Sequence, residues 1–130
     1  MTLLLDANVL VALCAADHIH HNLTATWFAR TREPFATNPI TQGSALRFLL
    51  REGLHATGAL EVLGSVTGHQ RHEFWPDDAP FSADMLRGVV GHRQVTDAYL
   101  ADQARQRGGT IATLDKGLVA LHADVATLVT

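Results

Sequence analysis

Short apolar runs alternate along this chain with longer stretches whose apolar residues recur at helical spacing. Met1–Leu5 is apolar on both faces and reads as a short buried strand. Val9–Ala16 reads as a helix with Asn8 near its start, and Asp17–His21 as a polar joint. Asn22–Arg30 predicts a second helix carrying Leu23, Trp27 and Phe28 on adjacent faces. Phe35–Thr37, just past Pro34, predicts a second strand. Pro39–Arg51 predicts a third helix, with Leu46, Leu49 and Leu50 as its apolar face and Gly53 as its stop. A fourth amphipathic helix spans Thr57–Val66 and ends near Gly68; His72–Trp75 follows as a strand closed by Pro76. Asp77–Gly91 is polar and broken by Pro80, Gly88 and Gly91, with a short helical piece expected at Ser82–Leu86. Thr96–Arg107 predicts a helix stopped by Gly108-Gly109, then come a strand at Thr110–Thr113, a helix at Lys116–Leu121 and a strand at Val125–Val129. Strands alternating with helices imply the α/β class, a parallel sheet with helices on both faces.

At 130 residues, with no linker or repeat, the chain is expected to form one domain over 1–130. A composition 47% hydrophobic and 18% charged excludes a disordered chain. The net charge of −3 removes any global basic footprint, leaving local arginines as the route to a nucleic acid. The single cysteine, Cys14, allows no disulfide within the chain and suits a reducing compartment. The apolar run Leu3–Leu13 is interrupted by Asp6 and Asn8 and is too short to span a bilayer. These features predict a cytoplasmic protein with no membrane contact.

Chemistry enters with three acids. Asp6 ends the first apolar run, Asp97 opens the late helix, and Asp115 ends the fourth predicted strand. In an open parallel sheet, ligands bind beyond the carboxyl ends of the strands. Each acid has an ordinary reading: Asp6 as a helix cap, Asp97 as a favourable charge in a first helical turn, Asp115 as a turn residue. Together they repel, and a divalent cation such as Mg²⁺ is the usual compensation.

These residues carry a resemblance. Leu3-Leu4-Leu5-Asp6-Ala7-Asn8-Val9-Leu10, His92-Arg93-Gln94-Val95-Thr96-Asp97-Ala98-Tyr99-Leu100 and Ile111-Ala112-Thr113-Leu114-Asp115-Lys116-Gly117 occur in the order of the motifs of PIN-domain ribonucleases. Asn38-Pro39-Ile40-Thr41, followed by Arg47, resembles the intervening segment. The chain is similar, over essentially its whole length, to the toxin half of VapBC-type toxin–antitoxin pairs. The resemblance implies a PIN-like three-layer α/β/α sandwich with a parallel sheet of four to five strands. It implies an endoribonuclease that stops translation by cutting a structured RNA such as transfer RNA. Asp6, Asp97 and Asp115 would be the catalytic carboxylates holding Mg²⁺, with Mn²⁺ able to substitute. Asn8 would hydrogen-bond within the cluster, Thr113 would support Asp115, and Thr41 would hydrogen-bond near Asp6. The partners implied are RNA, a VapB-type antitoxin that sets a basic side chain into the acidic site, and a second copy of the chain, giving a homodimer and toxin–antitoxin hetero-oligomers.

One position departs from the family. Most members carry a glutamate three residues after the threonine matched by Thr41; here it is Ser44. One fewer negative charge favours weaker metal binding or a single ion, with Gln42 or Ser44 left to contact a metal-bound water. Arg47 and Arg51, four apart on one helix face, are the candidate RNA contacts, or else a solvated face. His18, His20, His21, His69 and His72 lack the Cys/His spacing of a structural zinc site. The first three read either as a solvated turn or as a loop at the mouth of the site. Two rival functions stay open at this level. One is a receiver-type phosphorylation domain, for which Lys116 is misplaced; the other is a catalytically weak PIN-fold module that only binds RNA or a partner, kept open by Ser44.

Overall fold

The computed structural model describes residues 1–130. Its elements are β1 (Leu3–Leu5), α1 (Ala7–Cys14), α2 (His21–Arg30), β2 (Phe35–Thr37), α3 (Pro39–Arg51), α4 (Ala56–Thr67), β3 (His72–Phe74), α5 (Gln94–Gln106), β4 (Thr110–Thr113), α6 (Lys116–Leu121) and β5 (Ala126–Leu128). Each strand and long helix expected from the pattern is present, and the shifts at the ends have local causes. The Asp6 carboxylate accepts from the Ala7 backbone N–H, so α1 begins before Asn8 rather than after it. Ser82–Leu86 forms no helix. Long backbone bonds, Leu86 to Ser82 at 3.2 Å and Arg87 to Asp84 at 3.3 Å, hold it as a chain of turns that leaves through Gly88 at φ +84°.

All strand pairs are parallel, in the order β3-β2-β1-β4-β5. A receiver-type sheet runs 2-1-3-4-5, so that rival falls on topology. Side chains alternate across the sheet. Leu4, Ala36 and Ile111 face one layer with Leu100, Ala101 and Ala104 of α5 and Leu118 of α6. Leu5, Phe35 and Ala112 face the other with Val9 of α1 and Trp27 of α2. Apolar residues on both faces of each central strand are what a sheet covered on both sides requires. Trp27 is core, and Phe28 lies partly buried under the Arg71 guanidinium, 4.7 Å from its ring centre.

Gly109 lets the α5–β4 turn press onto the edge of β1. A Cβ there would stand 2.5 Å from the Thr2 carbonyl oxygen and 3.2 Å from the Trp75 ring. Because the nearer obstacle is backbone, Gly109→Ala should destabilise the fold by about 1–3 kcal/mol. Thermal melting should show a fall of several degrees; an unchanged Tm would mean that the turn moves freely.

Candidate active site

The topology locates a crevice. From β1 the chain proceeds to β2 and β3 on one side, and from β4 to β5 on the other, so the order reverses between β1 and β4. Ligands of open α/β sheets bind beyond the carboxyl ends of strands at such a switch point. Asp6 directly follows β1, Asp115 follows β4 by two residues, and α5, with Asp97 in its first turn, packs on both strands.

Hydrogen bonds fix two of these acids. Asp6 is only 6% exposed. Its Oδ1 accepts from Ala7 N–H at 2.7 Å and its Oδ2 accepts from the Thr113 hydroxyl at 2.6 Å. The Thr113 oxygen in turn accepts from the Asp115 backbone N–H at 3.0 Å and from Asn8 Nδ2 at 3.5 Å. Asn8 Oδ1 accepts from Leu114 N–H at 3.2 Å. Asp115 caps α6 by accepting from Gly117 N–H at 2.8 Å through Oδ1, leaving its other oxygen uncommitted. Thus Asp6 and Asp115 are helix caps as well as members of the cluster. Asn8 and Thr113 link the two segments that carry these acids.

Repulsion from the neighbouring acids acts on Asp97 and Asp6. Burial and repulsion from Asp6 and Asp115 push the Asp97 carboxyl up to about 6. Burial also raises Asp6, against the Thr113 and Ala7 hydrogen bonds, with a further push from Asp115. An oxygen-only donor set suits a hard cation. No three His, Cys, Asp or Glu side chains close around a common point. The arrangement therefore fits an ion such as Mg²⁺, which keeps several waters and can be held by surrounding carboxylates partly through them, rather than a zinc cage.

Several expected contacts are placed differently. Thr41 does not bond to Asp6. It forms a capping box with Asn38: its N–H donates to Asn38 Oδ1 at 2.9 Å, and its hydroxyl accepts from Asn38 N–H at 3.1 Å. Gln42 Nε2 donates to the Thr37 hydroxyl at 2.9 Å, which pairs with His72 Nε2 at 2.7 Å. The Ser44 hydroxyl donates to the Ile40 carbonyl at 3.1 Å and accepts from Arg47 at 3.1 Å. Arg47 lies back over Gly43, where a Cβ would stand 3.3 Å from its guanidinium. It is thereby aimed toward the N-terminal end of α3 and the carboxyl edge of the sheet. Arg51 lies one helical turn beyond Arg47, about 6 Å further along the axis from Pro39, and is exposed.

Buried polar contacts that the sequence left unread brace the site from behind. Asn38 Nδ2 donates to Gln103 Oε1 at 2.7 Å, and Gln103 Nε2 donates to the Pro76 carbonyl at 2.9 Å. Together they tie α5 to the carboxyl ends of β2 and β3. The available signal was Gln103 itself, a polar residue among the apolar positions Leu100, Ala101 and Ala104. His21 Nδ1 donates to the Ala12 carbonyl at 2.7 Å, stapling α2 to α1, while His20 lines a cavity with Leu114 and Lys116.

A family model for the PIN domain matches residues 3–123. Ribonuclease VapC29 of Mycobacterium tuberculosis is 55% identical over 129 residues, spanning 99% of this chain and 97% of that protein. The crystal structure of Mycobacterium tuberculosis VapC20, a sarcin–ricin loop-cleaving toxin, has the same fold at a TM-score of 0.71 and 16% identity, covering 91% of this chain and 93% of that one. VapBC2 from Rickettsia felis, solved bound to a DNA fragment from its promoter, gives a TM-score of 0.62 at 15% identity and covers 98% of each chain.

Proposed function

Because this chain belongs to the PIN-domain family and to its VapC ribonuclease toxins, we propose that it hydrolyses phosphodiester bonds of a structured RNA at an exposed single-stranded loop, transfer RNA being the leading candidate. Single-stranded loops suit such an enzyme because their bases can be splayed out and read. The observation that carries the reading is the placement of three carboxylates at the sheet's switch point: Asp6 after β1, Asp115 after β4, and Asp97 in the first turn of the helix packed on both strands.

Asp6, Asp97 and Asp115 would hold Mg²⁺, with Mn²⁺ as a substitute. The ion, when bound, supplies an acidified water and offsets charge developing on the phosphate. The protein's part is preorganisation. Ala7 and Thr113 fix Asp6; Thr113 and Gly117 fix Asp115; Asp97 has no hydrogen bond and stands free to turn toward a ligand. Arg47, held over Gly43, can meet a phosphate on the α3 side. VapC toxins pair with VapB antitoxins, and the acidic site here suits a bidentate arginine from such a partner. We assign the protein to the cytoplasm, as a homodimer that joins its antitoxin in a hetero-oligomer.

Total cellular RNA incubated with antitoxin-free protein should yield discrete fragments with Mg²⁺ or Mn²⁺ and none with EDTA. The alternative, a PIN module that binds RNA or a partner but cuts poorly, is favoured by Arg47 occupying Ser44, where the family places an acid. No fragments from folded, metal-supplied protein would establish that alternative.

A further inference from the structure

Beside the acids lies a second feature. A cavity of about 360 Å³ opens at the carboxyl ends of β4 and β5, lined by His20 and Leu23 of the α2 entry, Leu114, Lys116, Leu128 and the chain's last residues. Its volume lies in the range of small-ligand pockets, roughly 300–1,000 Å³. Leu114 and Lys116 are the residues on either side of Asp115, so the cavity adjoins the catalytic cluster without including it.

Its chemistry is divided. Leu23, Leu114 and Leu128 give it apolar walls, and Leu23 is left 43% exposed on α2, which buries Thr24 and Trp27. Lys116 is exposed, is the only lysine of the chain, and makes no ion pair. His20 is likewise exposed and caps no backbone group with its side chain. Thr130, the remaining polar member, is engaged by Arg30. An apolar cavity with an unpaired cation at its edge, one residue from Asp115, suits a nucleobase with its attached phosphate.

We infer that this cavity is a base subsite. It takes the base of a nucleotide adjoining the scissile phosphate between Leu23, Leu114 and Leu128, while Lys116 holds the flanking phosphate and His20 offers a ring nitrogen to the base edge. The inference rests on the ribonuclease reading above and extends it to which nucleotide positions are read. Apolar contact with a base face tolerates every base, so the cavity sets register along the strand and His20 supplies what preference there is.

Methyl-resolved NMR of the Asp97→Asn protein in Mg²⁺, titrated with single-stranded hexaribonucleotides, tests this directly. The Leu23, Leu114 and Leu128 methyls should shift, and an abasic ribose-phosphate hexamer should leave them still. Leu23→Asp, a change at an exposed position, should weaken hexanucleotide binding about tenfold or more with an unchanged Tm. It should also raise KM in cleavage by the otherwise wild-type enzyme. Shifts at the Ala7 and Thr113 methyls beside Asp6, without leucine shifts, would overturn the subsite and leave the nuclease intact. Equal shifts with the abasic strand would also overturn it, as a backbone contact only. Leucine shifts produced by an antitoxin-tail peptide but by no RNA would reassign the slot to a protein partner. Absence of metal-dependent cleavage by wild type would instead sink the reading beneath it.

Discussion

Asp97→Asn protein should fold as the parent does, melt at a higher temperature in the absence of metal, and cleave RNA at least about 10²-fold more slowly. The two halves of this result have one cause. Asp97 is held near two other carboxylates and has no hydrogen bond of its own, so ionised it is a liability to the fold and is useful only to a cation. The amide keeps the shape and discards the charge. Asp6→Asn should lose cleavage to the same degree for a related reason. Asn caps a helix about as well as Asp, so Ala7 N–H keeps an acceptor. The Thr113 hydroxyl can donate to only one amide oxygen, whereas the carboxylate serves both Ala7 and Thr113 with separate oxygens. Asp6→Asn should therefore be near neutral in stability where Asp97→Asn gains. Single-turnover cleavage and metal-free melting of both variants check the pair. Cleavage within tenfold of wild type by either would remove the assigned role of that acid.

The contrast between these two acids also shows where the sequence was readable. Strands such as Phe35–Thr37 and Thr110–Thr113 stand out because they are apolar on both faces between strong punctuators, Pro34 and Asn38-Pro39 for one, Gly108-Gly109 for the other. Their parallel order puts Asp6 and Asp115 at one edge, so the acid cluster followed from topology together with motif. The side-chain hydrogen bonds were less legible, because each depends on which of several nearby acceptors lies closest. Thr41 bonds to Asn38 within its own capping box rather than to Asp6, since the local partner costs no ordering of distant chain. Arg47 and Arg51 share a helical face in sequence, yet Arg47 is drawn back toward the start of α3 by Ser44 and Gly43, while Arg51 lies one turn further on in the last turn. The piece at Ser82–Leu86 forms turns rather than a helix, with Met85 buried and the chain leaving through Gly88 at positive φ.

Metal and protons should compete for the same carboxylates, and stability will report the contest. In the metal-free protein, Asp97 titrates near 6, against about 3.9 in the unfolded chain. Between those values the folded state binds more protons than the unfolded one, so stability falls as pH rises. The favourable contribution is complete below about pH 4 and gone above about pH 7. A two-unit shift would amount to about 2.7 kcal/mol, and partial solvent access to Asp97 reduces this to about 1–2 kcal/mol. Asp6, shifted the same way, adds to the trend. Mg²⁺ reverses it by favouring the ionised acids: at a hundred times its Kd it adds about 2.7 kcal/mol. For a domain of this size that is roughly 10 °C in Tm. The increment should be largest at pH 7–8 and fade toward pH 4, where protons displace the ion. Asp97→Asn should flatten the metal-free pH dependence and forfeit most of the Mg²⁺ increment. Calorimetry of both proteins from pH 4 to 8, with Mg²⁺ and with EDTA, measures all of these quantities. A wild-type Tm indifferent to Mg²⁺ at pH 7.5 would mean that the three carboxylates do not hold the ion in the absence of RNA, and would make the substrate phosphate an obligatory part of the metal site.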